Sequence, residues 1–195
     1  ETDKNPYTSL RRGPDGRYHL IWLWRDNADA STCHHLCYAR SPDMHSWETA
    51  DGRPLAMPFT FNDTDQAVVD PFGVGAGAFN TVMSVGFDAA GRVLLAYVKY
   101  DPAGRTQLYL ARHGPAGRWD VRQASNWTAR YEMRGVGWFE LPLEIGPPEW
   151  RAGQLLIEVL HGEESPAPRL FSIDPDTLQL LGPADAAAAA AAAAA

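Results

Sequence analysis

Along residues 92–100 the apolar side chains follow the two-residue rhythm of an extended strand. Arg92, Leu94, Ala96, Val98 and Tyr100 share one face, while Val93, Leu95, Tyr97 and Lys99 share the other. Comparable runs cover Tyr18 to Trp24 and Leu155 to Leu160, and a glycine-bearing phrase opens each of the three: Asp15-Gly16-Arg17, Ala90-Gly91-Arg92 and Ala152-Gly153-Gln154. A second run follows each, with a leucine near its start: His35-Leu36-Cys37-Tyr38, Gln107-Leu108-Tyr109-Leu110 and Arg169-Leu170-Phe171-Ser172. Gly16 lies 20 residues before Leu36, and Gly91 and Gly153 each lie 17 before Leu108 and Leu170. Leu36 to Trp47 and Leu108 to Trp119 are both 11, with Leu181 at that offset in the third copy.

Short runs joined by turns and repeated in register predict a radial or stacked β architecture. The predicted units are 7–57, 78–123 and 137–182. No amphipathic helix of three turns interrupts them, and the 15 prolines and 17 glycines are spread through the turns. The predicted class is all-β, a β-propeller. Propellers take four or more blades, so about three units predict a fragment of a larger, seven-bladed ring over residues 1–185. Further sequence or another chain would supply the remaining blades, and an open arc leaves two sheet faces to be covered. The alanine run 186–195 reads as a placeholder rather than a biological segment.

A net charge of -7 argues against a general nucleic-acid or membrane-surface binder. No run of 18 apolar residues marks a membrane-spanning helix. The start at Glu1, without Met or leader, reads as a piece cut from something longer. Cys33 and Cys37 flank His34 and His35, which suggests a metal. However, four residues of strand at roughly 3.3 Å each put the two sulfurs about 13 Å apart, too far for a disulfide or for one tetrahedral zinc. Two buried thiols are expected instead. The sequence calls for no cofactor and leaves a structural divalent metal open.

Two linkers are long enough to build a site. Residues 58–77 carry Asn62, Asp63, Asp65 and Asp70, then glycines at 73, 75 and 77. These resemble a phosphate-binding turn, but Phe79, Val82, Met83 and Val85 read as strand, so the helix that motif needs is missing. Residues 124–136 mix Trp127, Arg130, Tyr131 and Arg134.

The stretch from Cys33 to Trp47 resembles the Asp-box of the bacterial neuraminidase (BNR) repeat, whose turn reads Ser-x-Asp-x-Gly-x-Thr-Trp. Ser41, Asp43 and Trp47 match, and the turn is one residue short. In that motif the carboxylate accepts turn amides and the tryptophan covers the blade edge. Further stretches are similar to the repeat-containing polysaccharide lyases that include ulvan lyases: Cys33-His34-His35-Leu36, Gly75 to Asn80, Gly91 to Asp101, Thr106 to Arg112 and Trp127 to Tyr131. The resemblance covers roughly residues 13–140. Val98 stands where that branch often has histidine, and His35 where it often has aspartate.

This resemblance implies a secreted or periplasmic enzyme acting on an anionic, uronic-acid-containing polysaccharide by β-elimination. Such a site must neutralise the carboxylate, remove the C5 proton and protonate the leaving oxygen. The candidate base is His34, since histidine titrates near 6.5. Tyr100 is the candidate acid or second base, and Arg130 and Asn80 are candidate carboxylate clamps. Candidate substrate contacts are His35, Lys99, Trp127 and Tyr131. A regular strand puts His35 opposite His34 and Lys99 opposite Tyr100, so only one of each pair would face a given site. His19, His45, His113 and His161 have no partner evident in the sequence. One rival reading is a glycosidase using a carboxylate pair drawn from Asp70, Glu140 and Glu158. Others are a glycan-binding propeller surface with Trp22, Trp24, Trp127 and Trp138, and a purely structural propeller.

Overall fold

The computed structural model describes residues 4–137, 141–163 and 165–184. Residues 138–140, which include Trp138 and Glu140, and the alanine run lie outside the described residues. The fold is all-β, with curled sheets that together form a half-barrel compatible with part of a β-propeller. The first sheet holds β1 (Asn5–Arg12), β2 (Tyr18–Arg25), β3 (Cys33–Ser41), β4 (Trp47–Glu48) and β5 (Pro54–Leu55), with β6 (Val68–Asp70) also on β3. A second meander runs through β7 (Met83–Phe87), β8 (Val93–Tyr100), β9 (Thr106–His113) and β10 (Trp119–Gln123). The third comprises β11 (Leu143–Ile145), β12 (Glu149–Arg151), β13 (Gln154–His161), β14 (Arg169–Ile173) and β15 (Leu180–Pro183).

One turn chemistry recurs five times. In 13–17, 49–53, 88–92, 101–105 and 114–118 the first residue's N–H donates to the fifth residue's carbonyl, and the fourth residue's N–H donates to the first's carbonyl. That fourth residue is always glycine: Gly16, Gly52, Gly91, Gly104 and Gly117, with φ between 70° and 80°. This is a type I turn closed by a left-handed residue, where a side chain would be strained. The third repeat departs from it, because Ala152 and Gly153 form a two-residue turn with both φ positive.

Strands β1, β7 and β12 lie side by side. β1 packs against β7, and β7 meets β12 through a parallel bridge between Phe87 and Glu149. Arg11 links all three, donating to the Val85 carbonyl at 3.2 Å and pairing with Glu149. Two apolar layers separate the sheets. Ile21, Leu23, Leu36 and Tyr38 face Val85, Leu95, Tyr97 and Ala111 in one. Leu94, Ala96, Leu108 and Leu110 face Leu155, Ile157, Val159 and Ile173 in the other. Each such side chain removed from water contributes about 1.5–3 kcal/mol.

The far face of the first sheet is not left open. Segment 56–67 folds back over it, with Phe59 stacked on Trp22 at 5.1 Å and Phe61 edge-on to Trp24 at 5.9 Å. Both tryptophans are at most 1% exposed, which takes them out of reach of a bound glycan.

The Asp-box turn has the geometry its motif implies. Asp43 Oδ1 accepts the His45 and Ser46 amides at 2.8 and 2.7 Å, Ser41 Oγ accepts those of Asp43 and Met44, and Trp47 Nε1 donates to the Met44 carbonyl. These amides hold the Asp43 carboxyl down at about 2. Met44 supplies the positive φ, 65°, that the shortened turn lacks a glycine for.

Candidate functional site

β2 ends at Arg25 and β3 begins at Cys33, so the connection 26–32 lies at the same end of the arc as the 101–105 turn and the start of β7. Segment 71–77 crosses this end. The His35 N–H donates to the Phe72 carbonyl, Gly75 N–H to Ser31, and Tyr100 N–H to Ala76. Segment 124–136 returns to the first sheet, where the Asp29 carboxylate accepts the Gly135 amide at 3.0 Å. Both long linkers therefore build this one end.

His34 and His35 do not point apart. The β2–β3 register slips between Leu23–Leu36 and Trp24–His34, leaving His35 as an extra residue in a β-bulge with φ 50°. A bulge re-aims the side chain it carries. The two rings meet edge to face at 4.8 Å, with Nδ1 to Nδ1 at 2.7 Å. His34 Nε2 lies 2.9 Å from Asp26 Oδ1, and Asp26 also pairs with Lys4. Phe61 packs against both rings.

The proton positions follow from donor counting. The Asp26 carboxyl is held below its ordinary value, first by Lys4 and then by His34, so it is ionised and only accepts. His34 must therefore donate from Nε2, which makes its Nδ1 an acceptor. His35 must then donate from Nδ1, and its Nε2 carries the lone pair. Burial lowers the His34 pKa, partly offset by Asp26, and burial likewise lowers that of His35 against the opposing charge of Asp65. Both rings are neutral at pH 7.

Beside this chain, Asp70 on β6 accepts from Tyr97 and from Lys99, the latter at 2.6 Å. The Lys99 ammonium also lies over the Tyr109 ring at 4.5 Å and the Phe72 ring at 5.4 Å. Because the Phe72 carbonyl caps the His35 amide, the histidines and Lys99 belong to one wall. Burial and then Asp70 push the Tyr97 hydroxyl well up, so it stays a proton donor to Asp70.

Tyr100 occupies the other face of β8, as the alternation predicts. Its hydroxyl donates to the Tyr131 carbonyl at 2.7 Å and accepts the Met133 amide at 3.3 Å. Arg130 lies 3.9 Å over the Tyr100 ring and donates to Glu132 and to the Gly104 carbonyl. Trp127 packs on His161 at 4.4 Å, and Tyr131 on His161 at 5.3 Å. Tyr100, Arg130, Trp127 and Tyr131 thus form a second group, between the second and third meanders, which belong to one nine-stranded sheet. Asn80 belongs to neither. It lines a cavity of about 1190 Å³ together with Tyr7 and Arg25.

Among the carboxylates of the glycosidase reading, Asp70 is taken up by Lys99 and Tyr97, and Glu158 is exposed mid-strand on β13. Other histidines also have partners. His19 joins Asp15 to Tyr38 at 3.0 and 2.7 Å, and His113 faces Asp51 at 3.2 Å. Cys33 and Cys37 are buried free thiols, with burial pushing Cys33 up to about 11 and Cys37 higher still.

Sequence reasoning passed over Asp26, Tyr97 and Arg25. Asp26 sits at the end of a strand–loop junction and has no motif of its own. The one available signal was an acidic residue eight positions before a histidine pair, across a predicted hairpin. A sequence model of the BNR repeat-containing family matches residues 1–127. No curated protein matches the chain.

Proposed function

The chain belongs to the BNR repeat-containing family, a carbohydrate-related propeller family, and from that premise we propose that it cleaves a uronic-acid-containing polysaccharide by β-elimination. The observation that carries this reading is the Asp26–His34–His35 chain. It fixes a neutral imidazole with its Nε2 lone pair unused by the first two members, and a base of that kind is what removal of a C5 proton needs. His35 is the base in this reading. His34 is the positioning residue, because both of its ring nitrogens are occupied.

In the step itself, His35 Nε2 takes the C5 proton and the C5–H electron pair forms the C4–C5 double bond. The C4–O4 bond breaks, and O4 leaves with a proton returned by the His35 imidazolium. Lys99 lies on the same wall; its ammonium is already paired with Asp70 at 2.6 Å, and its remaining N–H donors are what it offers the uronate carboxylate. Tyr100, whose hydroxyl proton goes to a backbone carbonyl, takes a supporting part by shaping the neighbouring wall with Arg130. Asn80, which lines the separate cavity, takes no part in this step.

The test is incubation with a panel of uronate polymers, reading the ultraviolet absorbance of the unsaturated uronate. Activity should appear with at least one polymer and fall about 100- to 10,000-fold in His35→Asn. Reducing sugar released without that absorbance would identify a hydrolase. Retained glycan binding with no turnover in the wild type would identify a binding module.

A further inference from the structure

The Asp26–His34–His35 chain has a fourth member that the elimination step leaves unused. β1 and β2 pair antiparallel with Asn5 opposite Arg25, so the residue before β1 lies across from the residue after β2. Those residues are Lys4 and Asp26, and they form an ion pair. The contact is made at Asp26 Oδ1, the same oxygen that accepts from His34 Nε2 at 2.9 Å. The Lys4 ammonium also lies 4.8 Å over the Phe61 ring. That ring packs edge-on against His34 at 5.2 Å and against His35 at 5.6 Å. Lys4 thus touches both of the groups that hold the imidazoles in place.

A carboxylate oxygen that faces a full cation has less negative potential left for a second donor. Lys4 therefore offsets part of the support that Asp26 gives to a positive imidazole. Two other carboxylates face the pair. Asp65, in the segment over the first sheet, and Asp70, on β6, both favour a charged His35, and Asp70 is itself paired with Lys99 at 2.6 Å. Burial holds both histidines below their ordinary range; Lys4 acts in the same direction, and Asp26 acts against it. The Lys4 and Asp26 side chains are 27% and 34% exposed, so water screens the pair and keeps its influence moderate.

We propose that Lys4 is a positioning residue for the base: by sharing the oxygen that orients His34, it keeps the histidine pair weakly basic, so that His35 stays able to take a proton in mildly acidic solution. The tautomers do not depend on Lys4, because an ionised Asp26 still only accepts and His34 still has to donate from Nε2. Asp26 decides which nitrogen carries the lone pair, and Lys4 decides how far the pH can fall before that lone pair is lost. The use of His35 as a base rests on the lyase reading above; the effect of Lys4 on the two rings rests on the shared oxygen alone.

The test is an NMR pH titration of the histidine rings in the wild type, Lys4→Met and Lys4→Arg, without substrate. Methionine keeps an unbranched apolar stem and removes the charge. In Lys4→Met the first apparent pKa of the histidine pair should rise by about 0.3–0.7 unit, with His34 still protonated at Nε2 and His35 at Nδ1. Lys4→Arg should titrate like the wild type. The gap between the wild type and Lys4→Met should narrow in about 1 M salt, where the screening length is about 3 Å. On a polymer that is cleaved, the acid limb of kcat/KM should move up by the same amount in Lys4→Met and return in Lys4→Arg. A lysine that only ties down the start of β1 would lower the unfolding midpoint in Lys4→Met and leave the titration where it was. That result overturns the proposal, as does a rise of equal size in Lys4→Arg. An acid limb that stays put while the titration moves would remove His35 as the base and keep the effect of Lys4. Absence of turnover on every polymer would count against the lyase reading, and the titration would still decide the role of Lys4.

Discussion

Replacing Asp26 with Asn tests the proton chain at its anchoring end. In the wild type the ionised carboxylate can only accept, and that single constraint sets both ring tautomers through contacts of 2.9 and 2.7 Å. An asparagine at this position offers either an oxygen or an NH2. With NH2 towards His34, the chain reverses: His34 donates from Nδ1, His35 accepts there, and the His35 Nε2 carries a proton instead of a lone pair. With the oxygen towards His34, the tautomers survive, but the negative charge that supports an imidazolium is gone. Either way the rate of proton abstraction should fall about 100- to 10,000-fold, or about 2.7–5.5 kcal/mol at 1.36 kcal/mol per decade. Stability should barely change. The Asp26 side chain is 34% exposed and its pair with Lys4 is partly solvated, so solvent screening limits the loss to about 1 kcal/mol or less. Long-range 15N–1H spectra read the tautomers without any substrate. They should report His34 protonated at Nε2 and His35 at Nδ1 in the wild type, and a reversed population or a lower His34 pKa in Asp26→Asn. Wild-type spectra with His35 protonated at Nε2, or a variant unchanged in tautomer, pKa and rate, would refute the reasoning.

Other outcomes follow from the same structure. Ile157→Ala, in the fully buried layer between the second and third meanders, should cost about 2–5 kcal/mol in urea unfolding. Gly77 has φ 73° and an added Cβ would meet the Tyr100 ring at 2.5 Å, whereas Gly16 at φ 79° has nothing within 4 Å. Gly16→Ala should therefore cost about 1–2 kcal/mol and Gly77→Ala clearly more; equal midpoints would contradict the packing. His19, His34 and His35 all have pKa values lowered by burial. The unfolded chain thus binds more protons just below pH 6.5, and stability should be full above that value and fall as pH drops through it; a flat midpoint from pH 7 to 5 would disagree. The thiols should resist an aromatic disulfide reagent at pH 8 in the folded protein and react once it is unfolded, because Cys33 ionises only near about 11.

Much of the frame was legible in the residues themselves. The phrase with Gly16 and Gly91 marks a turn that needs one left-handed residue, and glycine is the residue that takes that conformation cheaply. Alternation in 92–100 put Lys99 and Tyr100 on opposite faces, and they line different sheet interfaces. The Asp-box could be read because its hydrogen bonds are local: Ser41 and Asp43 hold the turn amides and Trp47 donates to the Met44 carbonyl, all within seven residues. The candidate site was harder. The sequence singled out His34, His35 and Lys99, which share a wall, and also Tyr100, Arg130, Trp127 and Tyr131, which form a separate group.

Local chemistry, then, was determined by the sequence: strand rhythm, turn type, the Asp-box and the end of the arc where long linkers gather. Each depends on neighbours a few positions apart, so the chain carries the information in its spacing. Only the tertiary structure decided what crosses between strands. The bulge at His35 comes from the way β2 and β3 register, which brings the Nδ1 atoms of two rings expected on opposite faces to 2.7 Å. The cover over Trp22 and Trp24 comes from a loop some 40 residues downstream, and the carbonyl partners of Arg25 from a loop that turns back on its own strand. Burial and donor–acceptor pairing at such places are set by three-dimensional proximity, and residue spacing does not encode it.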